Sequence, residues 1–315
     1  MDYVEFEYWY MRFLNGHMDL DHEWNRDPKS ITFDDLPLEI VCLITKNLSL
    51  YTRLSAVRYT SKTLRNVIEM QKMSVKSCAL SGEKTESRLY IDGQYCNVKG
   101  NGILEWVMNN TEIETFEISR LTYNLGDVVK QISKSLTSKI RIKEIVHLDW
   151  CPEDFRSFLS LCDPQTLETI HIQYRERDDW QSIRLKEFNK LSEMEQFKNL
   201  KKVILAASRM KLDIQKFFHL DNFIVEVHSI SPKQMRQLRD NCKRRESFAF
   251  CQVLVRGLNL NKIAKALKIV IQDGKAYDPI VGTDHQLVFV FDEMKFKILR
   301  QLPGDSLFPP FSIFA

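Results

Sequence analysis

No run of apolar residues in this chain approaches the roughly 18 needed to cross a bilayer. The opening stretch, Met1-Asp-Tyr-Val-Glu-Phe-Glu7, has neither the basic start nor the apolar core of a secretory leader. A membrane partner is therefore not expected, and the chain reads as cytoplasmic and/or nuclear. Motifs that handle phosphate, acyl groups or catalytic zinc are missing too: there is no Gly-x-x-x-x-Gly-Lys-[Ser/Thr], Gly-x-Ser-x-Gly or His-Glu-x-x-His. Gly100-Asn-Gly102 lacks the third glycine and the strand-to-helix setting of a dinucleotide site, and reads as a turn. The seven cysteines (Cys42, Cys78, Cys96, Cys151, Cys162, Cys242, Cys251) are odd in number and never form Cys-x-x-Cys. Without a leader they are expected as reduced, core-filling thiols.

Metal and cofactor chemistry is not expected either. His147, Cys151, Cys162 and His171 could be drawn as a cluster, but structural zinc takes its ligands in close pairs and only His147 and Cys151 approach that spacing. His147 and His171 are instead read as equivalent places in successive β-like runs. No cysteine–histidine pair is selected by spacing as nucleophile and base. The expectation is a non-catalytic protein.

What is present begins with charge. The net charge of +3 hides an asymmetry: residues 1–39 carry ten acidic against three basic side chains, a balance of −7. The other 276 residues therefore hold +10, too dilute to predict nucleic-acid binding. A 44% hydrophobic, 28% charged composition over 315 residues suits two modest domains or one domain plus a repeat array.

Within residues 1–30, Tyr3, Phe6, Tyr8, Trp9, Tyr10 and Phe13 crowd into the first thirteen positions. So many aromatics are costly in water. The segment is expected either as a helix folded back onto the body, the favoured reading, or as a partner-binding arm. Residues 31–75 follow. Asp34 or Asp35 is placed to cap a helix that has Pro37 at or near its first position. Leu36, Ile40, Ile44 and Leu48 recur every four residues, and Leu54, Val57, Ser61, Leu64 and Ile68 alternate steps of three and four. Both patterns are helical seams, and a unit of this size needs a neighbour or partner for stability.

Residues 81–102 hold a hairpin signal, Arg88-Leu-Tyr-Ile91 and Tyr95-Cys-Asn-Val98 around Asp92-Gly93. From 103 to 315 a β-like run, a link and a helix-like run recur. The β-like runs are 115–118, 145–148, 169–172, 202–205, 223–227 and 248–253, starting 30, 24, 33, 21 and 25 residues apart. Helix-like runs fall at 128–136, 154–161, 185–194, 215–220 and 232–242. This irregular β–α repeat has the unit size of leucine-rich repeats without their consensus positions. A final hairpin, Leu287–Phe291 into Met294–Ile298, has Lys295 and Lys297 alternating with apolar residues, the pattern of a protected edge strand. Lys243-Arg244-Arg245 reads as a solvated helix end. The predicted class is α+β: a small three-helix unit, then an irregular leucine-rich-repeat-like β–α domain with a curved sheet.

Two resemblances cover much of the chain. Leu36-Pro37, Glu39-Ile40, Ile44, Leu48, Leu54 and Ser61-Lys62-Thr63-Leu64-Arg65 resemble an F-box, with Thr60 where valine is usual. Over about residues 150–300, Leu191-x-x-Met194-Glu-Gln-Phe-Lys-Asn-Leu, Phe217-Phe-His-Leu-Asp-Asn-Phe223, Ser231-Pro-Lys-x-Met-Arg-x-Leu-Arg239 and Glu246-Ser-Phe248 resemble the domain of unknown function that follows the F-box in a large nematode family. The resemblance implies a substrate receptor of a Skp–cullin–F-box ubiquitin ligase. It would dock the Skp adaptor, and through it a cullin, by Leu36, Pro37, Ile40, Ile44, Leu48, Leu54, Val57 and Leu64. The second domain would hold a target protein. A charged connection, Arg175, Arg177 and Arg184 around Trp180, has the composition of a target-binding hot spot; alternatively Trp180 tucks beneath the loop. Two other readings stay open: a Skp-bound or free scaffold outside ubiquitination, and a small-molecule enzyme on the β–α domain.

Overall fold

The computed structural model describes residues 3–19, 36–71, 73–83, 86–97, 103–119, 125–148, 152–173, 181–206, 212–255 and 257–305. Chain contacts divide it into two compact units, Met1–Asn47 and Leu48–Ala315.

The first unit holds α1 (Tyr3–Leu14) and α2 (Leu38–Lys46). The aromatic segment is thus helical, and its rings meet along the helix, Phe6 stacked on Tyr10 at 6.2 Å and Trp9 tilted against Phe13 at 5.8 Å. Phe6, Tyr10 and Leu14, spaced by four, remain exposed. Pro37 sits one place before the first helical residue, as N-cap of α2, and its carbonyl accepts from the Ile40 and Val41 amides. The proposed caps Asp34 and Asp35 lie outside the described residues.

The second unit opens with α3 (Leu50–Ser55), a 3-10 turn (Val57–Tyr59) and α4 (Lys62–Met70), then builds one sheet. Its strands are β1 (Met73–Glu83), β2 (Glu86–Ile91), β3 (Gln94–Asn97), β4 (Thr111–Ser119), β5 (Arg141–Leu148), β6 (Thr169–Gln173), β7 (Lys202–Ala206), β8 (Asn222–Val227), β9 (Phe250–Val255), β10 (Lys275–Pro279), β11 (Gln286–Phe291) and β12 (Lys295–Gln301). They lie in the order β10-β11-β12-β9-β8-β7-β6-β5-β4-β1-β2-β3. The central seven, β1 and β4 to β9, are mutually parallel and follow chain order. An antiparallel ribbon closes each side.

Helices α5 (Ile103–Asn110), α6 (Leu125–Ser135), α7 (Pro152–Leu161), α8 (Gln181–Ser192), α9 (Glu195–Lys198), α10 (Pro232–Arg244) and α11 (Leu260–Leu267) complete the described elements. Their buried side chains join one cluster with the inward strand residues, including Phe116, Ile145, Ile170, Val203, Phe223, Val253 and Ile298. The helices therefore cover one sheet face, as right-handed crossovers between neighbouring strands require. Stacked phenylalanines fill the interior, Phe188 on Phe217 at 5.7 Å and Phe217 on Phe223 at 5.9 Å. Polar links step between successive helices: Arg156 pairs with Glu187 at 3.1 Å, and Lys216 donates to Asn189 at 2.7 Å. A backbone ladder also precedes the strands. Lys201 and Lys202 amides donate to the Glu168 carbonyl, Asp221 and Asn222 to Lys201, and Ala249 and Phe250 to Asp221.

Five of the six expected β-runs lie within strands, and the sixth, 248–253, enters β9 only at Phe250. The expected hairpin arms Arg88–Ile91 and Leu287–Phe291 are strands; Tyr95–Asn97 lies in β3 with Val98 outside the described residues, and the last arm starts at Lys295, one residue later than expected. Asp92 and Gly93 take positive φ, 48° and 81°, at the first hairpin turn, as a two-residue loop demands. Four expectations need correction. β1 was not foreseen because its buried residues step Val75, Cys78, Leu80. That three-residue step recurs in register as Ile113 to Phe116 and Ile142 to Ile145. Each strand carries one extra residue at the same level, where the pairing skips Lys76, Glu114 and Lys143 and then resumes in register, and this hides the period of two. β12 is no edge strand: it lies between β9 and β11, and its lysines occupy the face away from the helices. Residues 215–220 form only the 3-10 turn Ile214–Phe217. Finally, the run Lys243-Arg244-Arg245 does end α10, with Arg244 exposed, but it is solvated only in part: Lys243 pairs with Asp278 at 2.5 Å and Arg245 with Asp221 at 2.6 Å.

Candidate partner-docking surfaces

In the first unit, α2 turns Val41 and Thr45 inward, both buried, the Thr45 hydroxyl donating to the Val41 carbonyl at 2.9 Å. Spaced by four, they define the inner stripe. Around the rest of the helix Leu38, Ile40, Leu43 and Ile44 stand 39–59% exposed, beside an exposed Pro37 and a half-buried Leu36. Four neighbouring aliphatics left in water on nine helical residues form a patch suited to an apolar partner. Leu38 and Leu43 were missed from the sequence because only the four-residue stripe was followed. Leu43, three beyond Ile40, was the available signal.

In the second unit the remaining candidates differ in role. Leu54 is fully enclosed and joins Ile68 and Met73 in the main cluster. It therefore offers no surface to a partner; it anchors α3 instead. Leu48, Val57 and Leu64 are half-buried. Serine hydroxyls start both helices: Ser49 accepts from the Thr52 amide at 3.1 Å and Ser61 from the Leu64 amide at 3.1 Å. Arg53 donates to the Leu48 carbonyl at 2.9 Å and to Gln71 at 3.2 Å. Arg58 pairs with Glu69 at 2.9 Å. The Thr60 hydroxyl donates to the Val57 carbonyl at 2.8 Å, so the residue that replaces valine closes the 3-10 turn.

The target-binding candidates Arg175, Arg177 and Trp180 lie outside the described residues, and Arg184 is known only as a backbone position in α8. What is described is the sheet face away from the helices. Across β1, β4 and β5 it carries Lys76, Glu112, Glu114, Arg141 and Lys143, with Arg141 on Glu112 at 2.9 Å. Across β7 to β9 and β12 it turns apolar, with Ile204, Ile224, Phe250 and Leu299 forming a separate small cluster.

The histidines do not occupy equivalent places. The parallel register sets Ile145 beside Ile170 and His147 beside Ile172. His147 therefore points into the helix-covered core, edge-on to Phe155 at 5.0 Å, while His171 points to the opposite face. Among the described residues neither His147 ring nitrogen has a hydrogen-bond partner, and burial pushes its pKa down to about 4. Burial likewise raises the Cys162 thiol, and burial beside Cys242 raises Cys251. Such thiols stay protonated and fill space. Among the described residues no group of three or more His, Cys, Asp or Glu side chains could hold a metal ion.

Comparison with known proteins bears directly on the three short helices and the strand–helix succession. Residues 33–76 match the F-box domain and residues 124–270 the FTH domain, in that order. The chain matches a nematode F-box family. The F-box A protein 224 of Caenorhabditis elegans is 20% identical over 305 residues, covering 83% of this chain and 76% of that protein. The F-box match spans α2, α3, α4 and the start of β1. The FTH match spans α6 to α11 with β5 to β9, an earlier start and earlier stop than the sequence resemblance suggested. β2 to β4 and β10 to β12 lie outside both matches yet belong to the same sheet.

Proposed function

We propose that this chain is the substrate-recognition subunit of a Skp–cullin–F-box ubiquitin ligase. The observation that carries the reading is the exposed aliphatic patch of α2, Leu38, Ile40, Leu43 and Ile44, inside the residues that match the F-box. Each aliphatic, if fully buried, contributes about 1.5–3 kcal/mol, and these are already about half covered. Together they supply a modest apolar anchor for Skp, through which a cullin would be joined. The sheet domain then holds a target protein, and its sequential β–α order supports a leucine-rich-repeat-like platform. Such a subunit contributes effective concentration, not bond chemistry: it keeps target lysines close to the charged conjugating enzyme. Its place of action would be the cytoplasm, the nucleus or both. The test is self-modification in a reconstituted ligase. With Skp, a cullin–RING module and conjugating enzyme present, the wild-type chain should acquire ubiquitin and the Ile40→Asp chain should not. Equal labelling of both would remove the reading.

A further inference from the structure

The positive charge of this chain is not evenly spread. Of the +10 carried by residues 40–315, residues 231–272 hold +8, ten basic side chains against Asp240 and Glu246. The fold gathers most of them on two neighbouring helices, α10 and α11, tied together where the Arg239 guanidinium donates to the Leu267 carbonyl at 2.9 Å. Met235, Leu238 and Cys242 of α10 are buried, as are Ile263 and Leu267 of α11, so each helix turns its opposite side to water. Those sides carry Lys233, Arg236 and Arg244 on α10, and Lys262 and Lys265 on α11 with Lys268 as its C-cap, all exposed. Arg239, Lys243 and Arg245 are engaged by Asp240, Asp278 and Asp221. Among the described residues the six exposed cations have no ion-pair partner.

Helix stability does not account for this arrangement. Cations suit the last turn of a helix, which explains Arg244. Lys233, however, is the second residue of α10 and Lys262 the third of α11, where the helix dipole disfavours positive charge. Lys233 and Arg236 stand three apart, as do Lys262, Lys265 and Lys268, a spacing at which like charges repel. Lys268 also closes α11 at φ 56°, a left-handed cap that glycine makes at lower cost. Repulsion gathered in this way is relieved when opposite charge arrives. We infer that the exposed side of α10 and α11 docks an acidic segment of the target protein, a run of aspartate and glutamate side chains. A peptide is favoured over a nucleic acid because Phe248 and Phe250, the only aromatic residues in 231–272, are both buried, leaving no ring on which a base could stack. Carboxylates are favoured over phosphate because four of the six cations are lysines, point charges without the two-pronged fork that arginine offers a phosphate. Only the word target rests on the ligase reading; the binding surface does not.

The test is fluorescence anisotropy of the full chain with a dye-labelled, alternating Glu-Ser decapeptide, beside Gln-Ser and Lys-Ser peptides of equal length. The Glu-Ser peptide should bind saturably at low ionic strength and weaken severalfold in high salt, which screens exposed charges; neither control peptide should bind. Arg236→Glu/Lys265→Glu should weaken the Glu-Ser peptide about tenfold. Lys76→Glu/Lys143→Glu, at two exposed lysines of β1 and β5, changes the net charge equally and should leave the affinity within about twofold. Both variants should keep the wild-type unfolding midpoint, since all four sites are exposed. A loss shared equally by the two variants would reduce the effect to net charge, and absent or salt-insensitive binding would leave the surface without this partner; either result overturns the inference. Tighter binding of a short DNA duplex, lost in Arg236→Glu/Lys265→Glu, would make a nucleic acid the occupant. Self-association at low salt, lost in the same variant, would make the acidic residues 1–39 of a second copy the occupant. Both would overturn it too. None of these readouts involves Skp, so they stand or fall apart from the ligase reading.

Discussion

His147 offers a quantitative test of the fold. Its ring is enclosed against Phe155 with no hydrogen-bond partner among the described residues, and burial lowers its pKa from 6.5 to about 4. Because the folded pKa lies below the unfolded one, the unfolded chain takes up the proton first, and stability falls as the pH drops from 6.5 toward 4. Between about pH 7.5 and pH 5 the linkage amounts to about 2 kcal/mol. His171 and His219 are lowered by burial too and share this window, so the wild-type loss alone is not diagnostic. Glu168 and Glu187, lowered chiefly by hydrogen bonds from Lys201 and Lys190, lose their contribution only at pH values below their unfolded 4.5. The comparison is therefore with His147→Leu, which keeps an apolar side chain of similar volume against Phe155. Urea unfolding at the two pH values should show the stability drop smaller in the variant by about 2 kcal/mol, with equal m-values. An identical drop in both proteins would show that His147 is not enclosed, and that the register placing it inside is wrong.

Three more outcomes are expected. Ser61→Ala should lower stability by about 1 kcal/mol through loss of the α4 cap, and Ser61→Asp should largely preserve it; unfolding curves decide. Gly274→Ala should cost about 1–2 kcal/mol more than Gly282→Ala. Both have positive φ, but an added Cβ at Gly274 meets the Phe291 carbonyl at 2.9 Å while the one at Gly282 meets nothing. Leu54→Ala should destabilise by about 2–5 kcal/mol yet leave Skp affinity per folded molecule unchanged, because Leu54 presents no surface; an affinity loss without a stability loss would refute its anchoring role.

Much of this architecture was legible because the relevant patterns are local. Thr169–Ile172 and Phe223–Val227 declare themselves by β-branched and aromatic content, and Asp92-Gly93 by a turn that few other residues can make. Signals failed where a pattern depends on neighbours. The shared extra residue at the level of Lys76, Glu114 and Lys143 shifts alternation in three strands together, which concealed β1 entirely. The position of β12 is a long-range pairing with β9, so its lysines were misread as edge protection. On α2 the sequence located the patch but undercounted it, since exposure of Leu38 and Leu43 is set by which side Val41 and Thr45 bury. Leu54 followed the same seam rule and turned out to be interior, because periodicity identifies a face without saying what covers it.

The most direct test of the central claim is co-purification of the chain with Skp, wild type beside Ile40→Asp. Ile40 is exposed, so the substitution should leave the unfolding midpoint unchanged. A carboxylate buried without a partner costs several kcal/mol, which should weaken Skp binding at least ~100-fold. A stable wild-type complex that the variant fails to form is the predicted result. Failure of the wild-type chain to bind Skp, or equal binding by both proteins, would contradict the account.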